Sequence, residues 1–152
     1  MDGEALAPCW WLVGKKIMKL KKGIKDLVAE AEAEIETISL DDAIAQHGSD
    51  DLIFVDVRDV RELERDGMIP GAFHAPRGMI EFWVDPDSPY FKQEFGHDDK
   101  TYVLYCAAAW RSALTAKTLQ DMGMTNVKQF ADGLKAWKAA GGPITQREKK
   151  DT

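Results

Sequence analysis

The chain has 152 residues, 45% of them hydrophobic and 30% charged, which suits one soluble domain with a real core plus an extension. A formal net charge of -6 and a sequence pI of about 5.1 argue against a nucleic-acid binder, because phosphate binding needs a basic face. The cysteines, Cys9 and Cys106, are too sparse for a stapled secreted scaffold, so a reduced, cytoplasmic setting in which a thiol stays free is expected.

In chain order, residues 1–36 read as an extension, 37–144 as the domain and 145–152 as a polar tail. The patch Cys9-Trp10-Trp11-Leu12-Val13 lacks the basic start and long apolar stretch of a signal peptide. Met18 offers a second start. No run reaches the ~18 apolar residues of a membrane span. From Gly14 to Ile38, lysines come first (Lys15, Lys16, Lys19, Lys21, Lys22, Lys25) and glutamates follow (Glu30, Glu32, Glu34, Glu36). Ile17, Leu20, Ile24, Leu27 and Ala31 fall at steps of three and four, one stripe on an amphipathic helix. The charge order opposes the helix dipole, so the stripe needs a partner. It can pack on the domain or on a second copy as a homodimer contact. A membrane surface fits less well, since the polar face is basic only in its first half.

Leu52-Ile53-Phe54-Val55-Asp56-Val57 and Tyr102-Val103-Leu104-Tyr105-Cys106 are nearly continuous apolar runs, as expected of strands buried on both faces. Ala72-Phe73-His74-Ala75 and Asn126-Val127-Lys128-Gln129-Phe130 add shorter strands, and Thr37-Ile38-Ser39 an edge strand. Helices are predicted over Leu40–Gln46 with Ser39 as N-cap, over Asp59–Asp66 closed by Gly67, over Ser112–Met122 closed by Gly123, and over Leu134–Ala140 closed by Gly141-Gly142-Pro143. Strands alternating with helices predict an α/β domain, with a mostly parallel central sheet of four to five strands and helices on both faces. Residues 76–100 carry no strand signal, but Phe82, Trp83, Tyr90, Phe91 and Phe95 predict that they fold over the domain.

In an open α/β sheet, ligands bind beyond the carboxyl ends of the strands. Cys106 ends a strand and Ser112 opens a helix, so Cys106-Ala107-Ala108-Ala109-Trp110-Arg111 lies where that rule places a site. Backbone N–H groups of the turn, the helix dipole and the Arg111 charge would all favour thiolate over thiol, and the thiolate is the nucleophile. The same N–H groups would hold a persulfide. The bland alternative is a buried strand-end cysteine acting as a small hydrophobe. Four residues separate Cys106 from Arg111. Phosphatase-type loops have a longer spacing that cradles a tetrahedral phosphate, so this tighter loop fits a single sulfur atom better.

Four segments in order resemble the rhodanese family over residues 37–144. Phe54-Val55-Asp56-Val57-Arg58 resembles its first sheet motif, and Gly67-Met68-Ile69-Pro70-Gly71-Ala72 its Gly-His-Ile-Pro-Gly-Ala turn. Cys106 to Ser112 resembles its active-site loop, and Gly133-Leu134-Lys135-Ala136-Trp137 its final helix motif. The resemblance implies a double displacement. Cys106 takes a sulfane sulfur from a small donor such as thiosulfate, and cyanide or a thiol, on a small molecule or a protein, removes it. It implies no metal and no organic cofactor. Three departures stand out. Ala109 occupies a position where the family often has glycine, and if φ is positive there alanine costs about 1–2 kcal/mol. Ala107 replaces an arginine common in thiosulfate-preferring members, which leaves the donor open. Met68 replaces a surface-turn histidine.

The site residues expected from this reading are Cys106 and Arg111 for catalysis, with Ala107, Ala108, Ala109, Trp110 and Ser112 forming the substrate loop. Asp56 and Arg58, at a strand end, suit a salt bridge that fixes the loop better than direct catalysis. Arg77 can face the same mouth or lie in solvent, and Trp110 can wall the pocket or cover the helix start. His47, His74 and His97 have no metal spacing, and Cys9 is too remote to serve as a resolving thiol. Two other functions compete: a noncatalytic sulfur-relay or interaction module, and a phosphatase or arsenate reductase that the loop length disfavours.

Overall fold

The computed structural model describes residues 17–148. Cys9, the Cys9–Val13 patch, the first part of the basic segment and the end of the polar tail lie outside the described residues. Strands β1 (Glu36–Ile38), β2 (Leu52–Asp56), β3 (Phe73–His74), β4 (Thr101–Tyr105) and β5 (Val127–Phe130) form one sheet in the order β1-β5-β4-β2-β3. Every pairing in it is parallel. The two most apolar runs, β2 and β4, pair along their whole length from Leu52↔Thr101 to Asp56↔Tyr105 at the sheet's centre, where both faces are covered.

The two-residue alternation of the strands sorts the core into two layers. Ile53, Val55, Tyr102, Leu104 and Cys106 face helices α1 (Ile24–Glu34), α4 (Ile80–Val84) and α5 (Trp110–Asp121), which contribute Val28, Ala31, Ile80, Ala113, Ala116 and Leu119. Phe54, Val103, Tyr105 and Phe130 face α2 (Leu40–Gln46) and α6 (Gly133–Ala139), which contribute Ala43, Leu134 and Trp137. This second layer is aromatic. Phe54, Phe130 and Trp137 pack at ring-centroid distances of 5.4–6.3 Å, arrangements that add about 0.5–1.5 kcal/mol per pair beyond area burial. Helix α3 (Val60–Asp66) connects β2 to the turn before β3 and buries Leu63.

Local signals set the helix ends. Ser39 accepts a hydrogen bond from Asp42 N at 3.1 Å, and Asp59 with Glu62 forms a capping box at the start of α3. Residues 76–100 fold back as expected: Phe95 lies 5.5 Å from Phe73 and 5.4 Å from Tyr102 between ring centroids.

The N-terminal segment differs from the sequence reading in phase. Its helix starts only at Ile24, because Gly23 N donates to the Asp26 carboxylate (2.9 Å) and fixes the first turn there. The face packed on the domain is then Val28, Ala31 and Ile35, while Ile24 and Leu27 stay 50% and 41% exposed. Ile17 and Leu20 lie before the helix and are exposed. At the other end, Thr145 and Met68 exchange backbone hydrogen bonds of 2.8 Å, so the first residue of the expected tail is tied to the turn before β3.

Candidate active site

The chain moves from β2 outward to β3, then crosses back over β2 to β4 and on to β5. The order therefore reverses between β2 and β4, and the carboxyl ends of these strands are where an α/β sheet opens a crevice. Cys106 follows β4 at that edge, and Asp56 and Arg58 stand at the end of β2 beside it.

Cys106 is buried, and its sulfur lies 3.6 Å from Ser112 Oγ. The chain then turns through Ala107 and Ala108 to Ala109, whose φ of 69° is left-handed, and enters α5 at Trp110. The glycine-favouring conformation expected at position 109 is thus present with alanine in it. The backbone N–H groups of Ala107, Ala108, Ala109, Trp110 and Arg111 meet no acceptor among the described residues. The last two open α5, where no intrahelical partner exists. Consecutive N–H groups of this kind, at the positive end of a helix, form a cradle for a negatively charged atom.

Two elements hold the loop from outside. Leu134 N donates to Cys106 O (2.9 Å) and Lys135 N to Ala107 O (3.2 Å), joining the loop to the first turn of α6. This approach requires Gly133. A Cβ there would lie 2.5 Å from Ala107 O and 2.8 Å from Ala108 N, and its φ is +74°. On the opposite side, Arg111 Nη1 and Nη2 donate to Glu62 Oε2 and Oε1 at 2.7 and 3.0 Å. The full charge expected beside the sulfur is therefore shared with a carboxylate on α3. The Arg111 guanidinium holds the Glu62 carboxyl below the usual range, against partial burial, and Glu62 in turn raises Arg111.

Asp56 and Arg58 form a fully buried ion pair. Arg58 Nη2 donates to Asp56 Oδ2 at 2.7 Å and Nε to Oδ1 at 3.0 Å. A further bond from Nη2 to Gly67 O (2.7 Å) pins the turn before β3. Burial works against the Arg58 charge, but the hydrogen bonds and charge of Asp56 outweigh it and raise its pKa. Burial first, then Asp56, push the Tyr105 phenol far above its ordinary value, so it is a neutral hydroxyl that accepts from Ile69 N at 3.1 Å. Of these groups Arg58 reaches the pocket beside the loop, which Asp66, Ala107, Leu134, Lys135 and Lys138 also line.

Of the remaining expected residues, Arg77 is exposed and tied to the β2 end through its backbone, with N donating to Val57 O at 3.1 Å. Trp110 is 46% exposed on the first turn of α5. His74 and His47 bond to the carbonyls of Arg58 and Pro70, and no metal-holding cluster occurs among the described residues. No helix among them is long and apolar enough to cross a membrane.

Sequence reasoning missed three residues of this site. Glu62 carries a signal only as the N3 acid of a capping box, and Gly133, though it opens the segment that resembles the family's final helix motif, gives no sign that it meets the loop. Gln129, which accepts from Ser112 Oγ at 2.7 Å, betrays itself as a polar residue in a strand with both faces covered.

A curated mouse protein, thiosulfate sulfurtransferase/rhodanese-like domain-containing protein 3, is 27% identical over 94 residues, 59% of this chain. The chain spans 59% of that relative's length. A Rhodopseudomonas palustris structure, a protein of unknown function named a possible tyrosine phosphatase, is 51% identical with a TM-score of 0.83, covering 86% of this chain and 100% of that one. The polysulfide-sulfur transferase homodimer of Wolinella succinogenes is 28% identical with a TM-score of 0.64, covering 81% and 87% of the two chains. The model of the rhodanese-like domain matches residues 39–140, and with the parallel sheet and its strand-end cysteine loop already described, the chain belongs to the rhodanese-like domain family.

Proposed function

We propose that this chain is a sulfurtransferase that carries a sulfane sulfur as a persulfide on Cys106. The observation that carries the reading is the loop after β4, where a strand-end cysteine is followed by five consecutive N–H groups without an acceptor among the described residues. In the first step the Cys106 thiolate attacks the outer sulfur of thiosulfate or a polysulfide. The S–S bond of the donor breaks, and sulfite or the shortened polysulfide leaves with the bonding pair. In the second, cyanide or a thiolate attacks the terminal sulfur and Cys106 leaves as thiolate. The Wolinella relative's polysulfide substrate supports including polysulfides among the donors, all the more because Ala107 contributes no charge to the loop. A reduced cytoplasm suits the free thiol of Cys106.

The name of the Rhodopseudomonas relative favours phosphatase chemistry as a second reading. The four-residue spacing from Cys106 to Arg111 argues against it, as does the engagement of the Arg111 guanidinium by Glu62, because a phosphoryl group needs that fork for itself.

Intact-mass measurement tests the reading. After incubation with thiosulfate or polysulfide, the protein should gain one sulfur, lose it to cyanide, and gain none as Cys106→Ser. A chain that takes up no sulfur from any sulfane donor, yet hydrolyses an aryl phosphate through Cys106, would overturn it in favour of the phosphatase. Sulfur that is accepted but handed only to a protein thiol would mark a relay module.

A further inference from the structure

A line of neutral hydrogen bonds runs from the buried sulfur to an exposed threonine at the sheet's edge. Cys106 Sγ donates to Ser112 Oγ (3.6 Å), Ser112 Oγ donates to Gln129 Oε1 (2.7 Å), and Gln129 Nε2 donates to Thr37 Oγ1 (3.2 Å). Ser112 and Gln129 are both buried, on α5 and β5, and Thr37 stands beside Gln129 in the β1–β5 register. In this direction the line suits a thiol, because Ser112 offers the sulfur an acceptor and spends its own proton on the amide.

A thiolate has no proton to give and needs a donor. Ser112 can supply one only if Gln129 stops accepting from it. A primary amide has nearly the same shape in either orientation. Turned over, Gln129 Nε2 donates to Ser112 Oγ and Oε1 accepts from the Thr37 hydroxyl, over the same two contacts. The Ser112 proton is then released toward the sulfur. Both directions leave every buried polar atom of the line partnered, which is what a low-dielectric site demands.

We propose that Gln129 is a positioning residue for Cys106, whose amide turns over with the state of the sulfur and switches Ser112 from acceptor to donor. The inference rests on Cys106 being the reacting group of the proposed function. It concerns the thiol–thiolate change and does not require any particular sulfur donor.

The test uses the full chain carrying Cys9→Ser, so that alkylation by iodoacetamide reads Cys106 alone. The rate is followed against pH for the parent, Gln129→Met, Gln129→Glu and each combined with Ser112→Ala. The charged groups around the loop and the line include Arg111 with Glu62, Asp56 with Arg58, Asp66, Arg77, Lys135 and Lys138 on α6, and Lys128 with Glu36 beside Gln129 and Thr37, and every variant keeps them. In Gln129→Met the Ser112 proton has no partner but the sulfur, so alkylation below the midpoint should quicken about threefold, the scale of one hydrogen bond. In Gln129→Glu a carboxylate only accepts and pins that proton away, so alkylation should slow by at least as much.

The Gln129→Met effect should vanish in the Ser112→Ala background, which a packing or through-space effect would not do. An unchanged rate in Gln129→Met, or the same change without the Ser112 hydroxyl, overturns the proposal. Should Gln129→Met not fold, the side-chain NH2 resonances of Gln129 in the ¹⁵N-labelled parent give the answer. They should shift across the pH range in which alkylation rises, and constant resonances also overturn it. If these effects hold but no donor loads Cys106, the Gln129–Ser112 switch stands and the sulfurtransferase reading falls.

Discussion

On the β2–α3 side of the Cys106 loop the polar contacts are ionic, whereas on the α5–β5 side they are neutral. Asp56–Arg58 is a buried, multiply bonded pair that also grips Gly67 O, and Glu62–Arg111 repeats the theme nearer to solvent. Ser112, Gln129 and Thr37 carry no charge, and each can donate or accept. A guanidinium has donors only and a carboxylate acceptors only, so the first side has a single arrangement. The second has two. The difference separates a fixed wall from an adjustable one around the same sulfur.

The comparison can be broken most severely at Arg58. Arg58→Met leaves the Asp56 charge buried without its partner and should cost about 3–5 kcal/mol in denaturant unfolding. Adding Asp56→Leu should return much of that loss, since an apolar pair of similar volume is often neutral. A small loss in Arg58→Met alone would mean that the ionic side is not the fixed one.

Gly133→Ala comes next. Its left-handed φ alone costs about 1–2 kcal/mol, and the Cβ would meet the Ala107 backbone, which has no freedom to move aside. Sulfur loading of Cys106 should fall with stability. Intact loading at full stability would show that the cradle does not depend on α6.

Glu62→Gln keeps the helix cap but removes the ion pair, and should cost about 1 kcal/mol near neutral pH, given partial exposure of both groups. The Glu62 pKa is lowered in the folded state. Its contribution is therefore fully present above the unfolded value near 4.5 and is lost as pH falls through the lower folded value. Wild type and Glu62→Gln should accordingly converge in stability in acid and differ at neutral pH. A gap that persists in acid would assign the loss to packing.

The smallest effect is expected at Ala109. Ala109→Gly relieves a positive φ worth about 1–2 kcal/mol but gives up one buried methyl, about 0.8 kcal/mol. Thermal unfolding should show a gain of at most about 1 kcal/mol, with persulfide loading unchanged.

How much of this was legible depended on how far apart in the chain the partners lie. β2 and β4 announced themselves as continuous apolar runs, and the Cys106 loop stood out because all its residues are consecutive. The conformation of Ala109 could be anticipated from the glycine that the family often places there. The Arg111–Glu62 pair joins residues 49 apart and Gln129–Thr37 residues 92 apart, so neither leaves a local pattern. The N-terminal stripe misled for a different reason. Three- and four-residue spacing from Ile17 to Ala31 continues through Gly23, but the Gly23–Asp26 cap restarts the helix. The buried face then falls on Val28, Ala31 and Ile35.

The bonds from Leu134 and Lys135 to the carbonyls of Cys106 and Ala107 carry a consequence for motion. Two of the amides that open α6 are satisfied by the loop, so lifting the loop leaves that helix end without its cap. Local opening at the cysteine and fraying of the first turn of α6 are thus coupled. Exposure of the sulfur to large reagents would be gated from the far side of the sheet, by the aromatic layer that anchors Trp137.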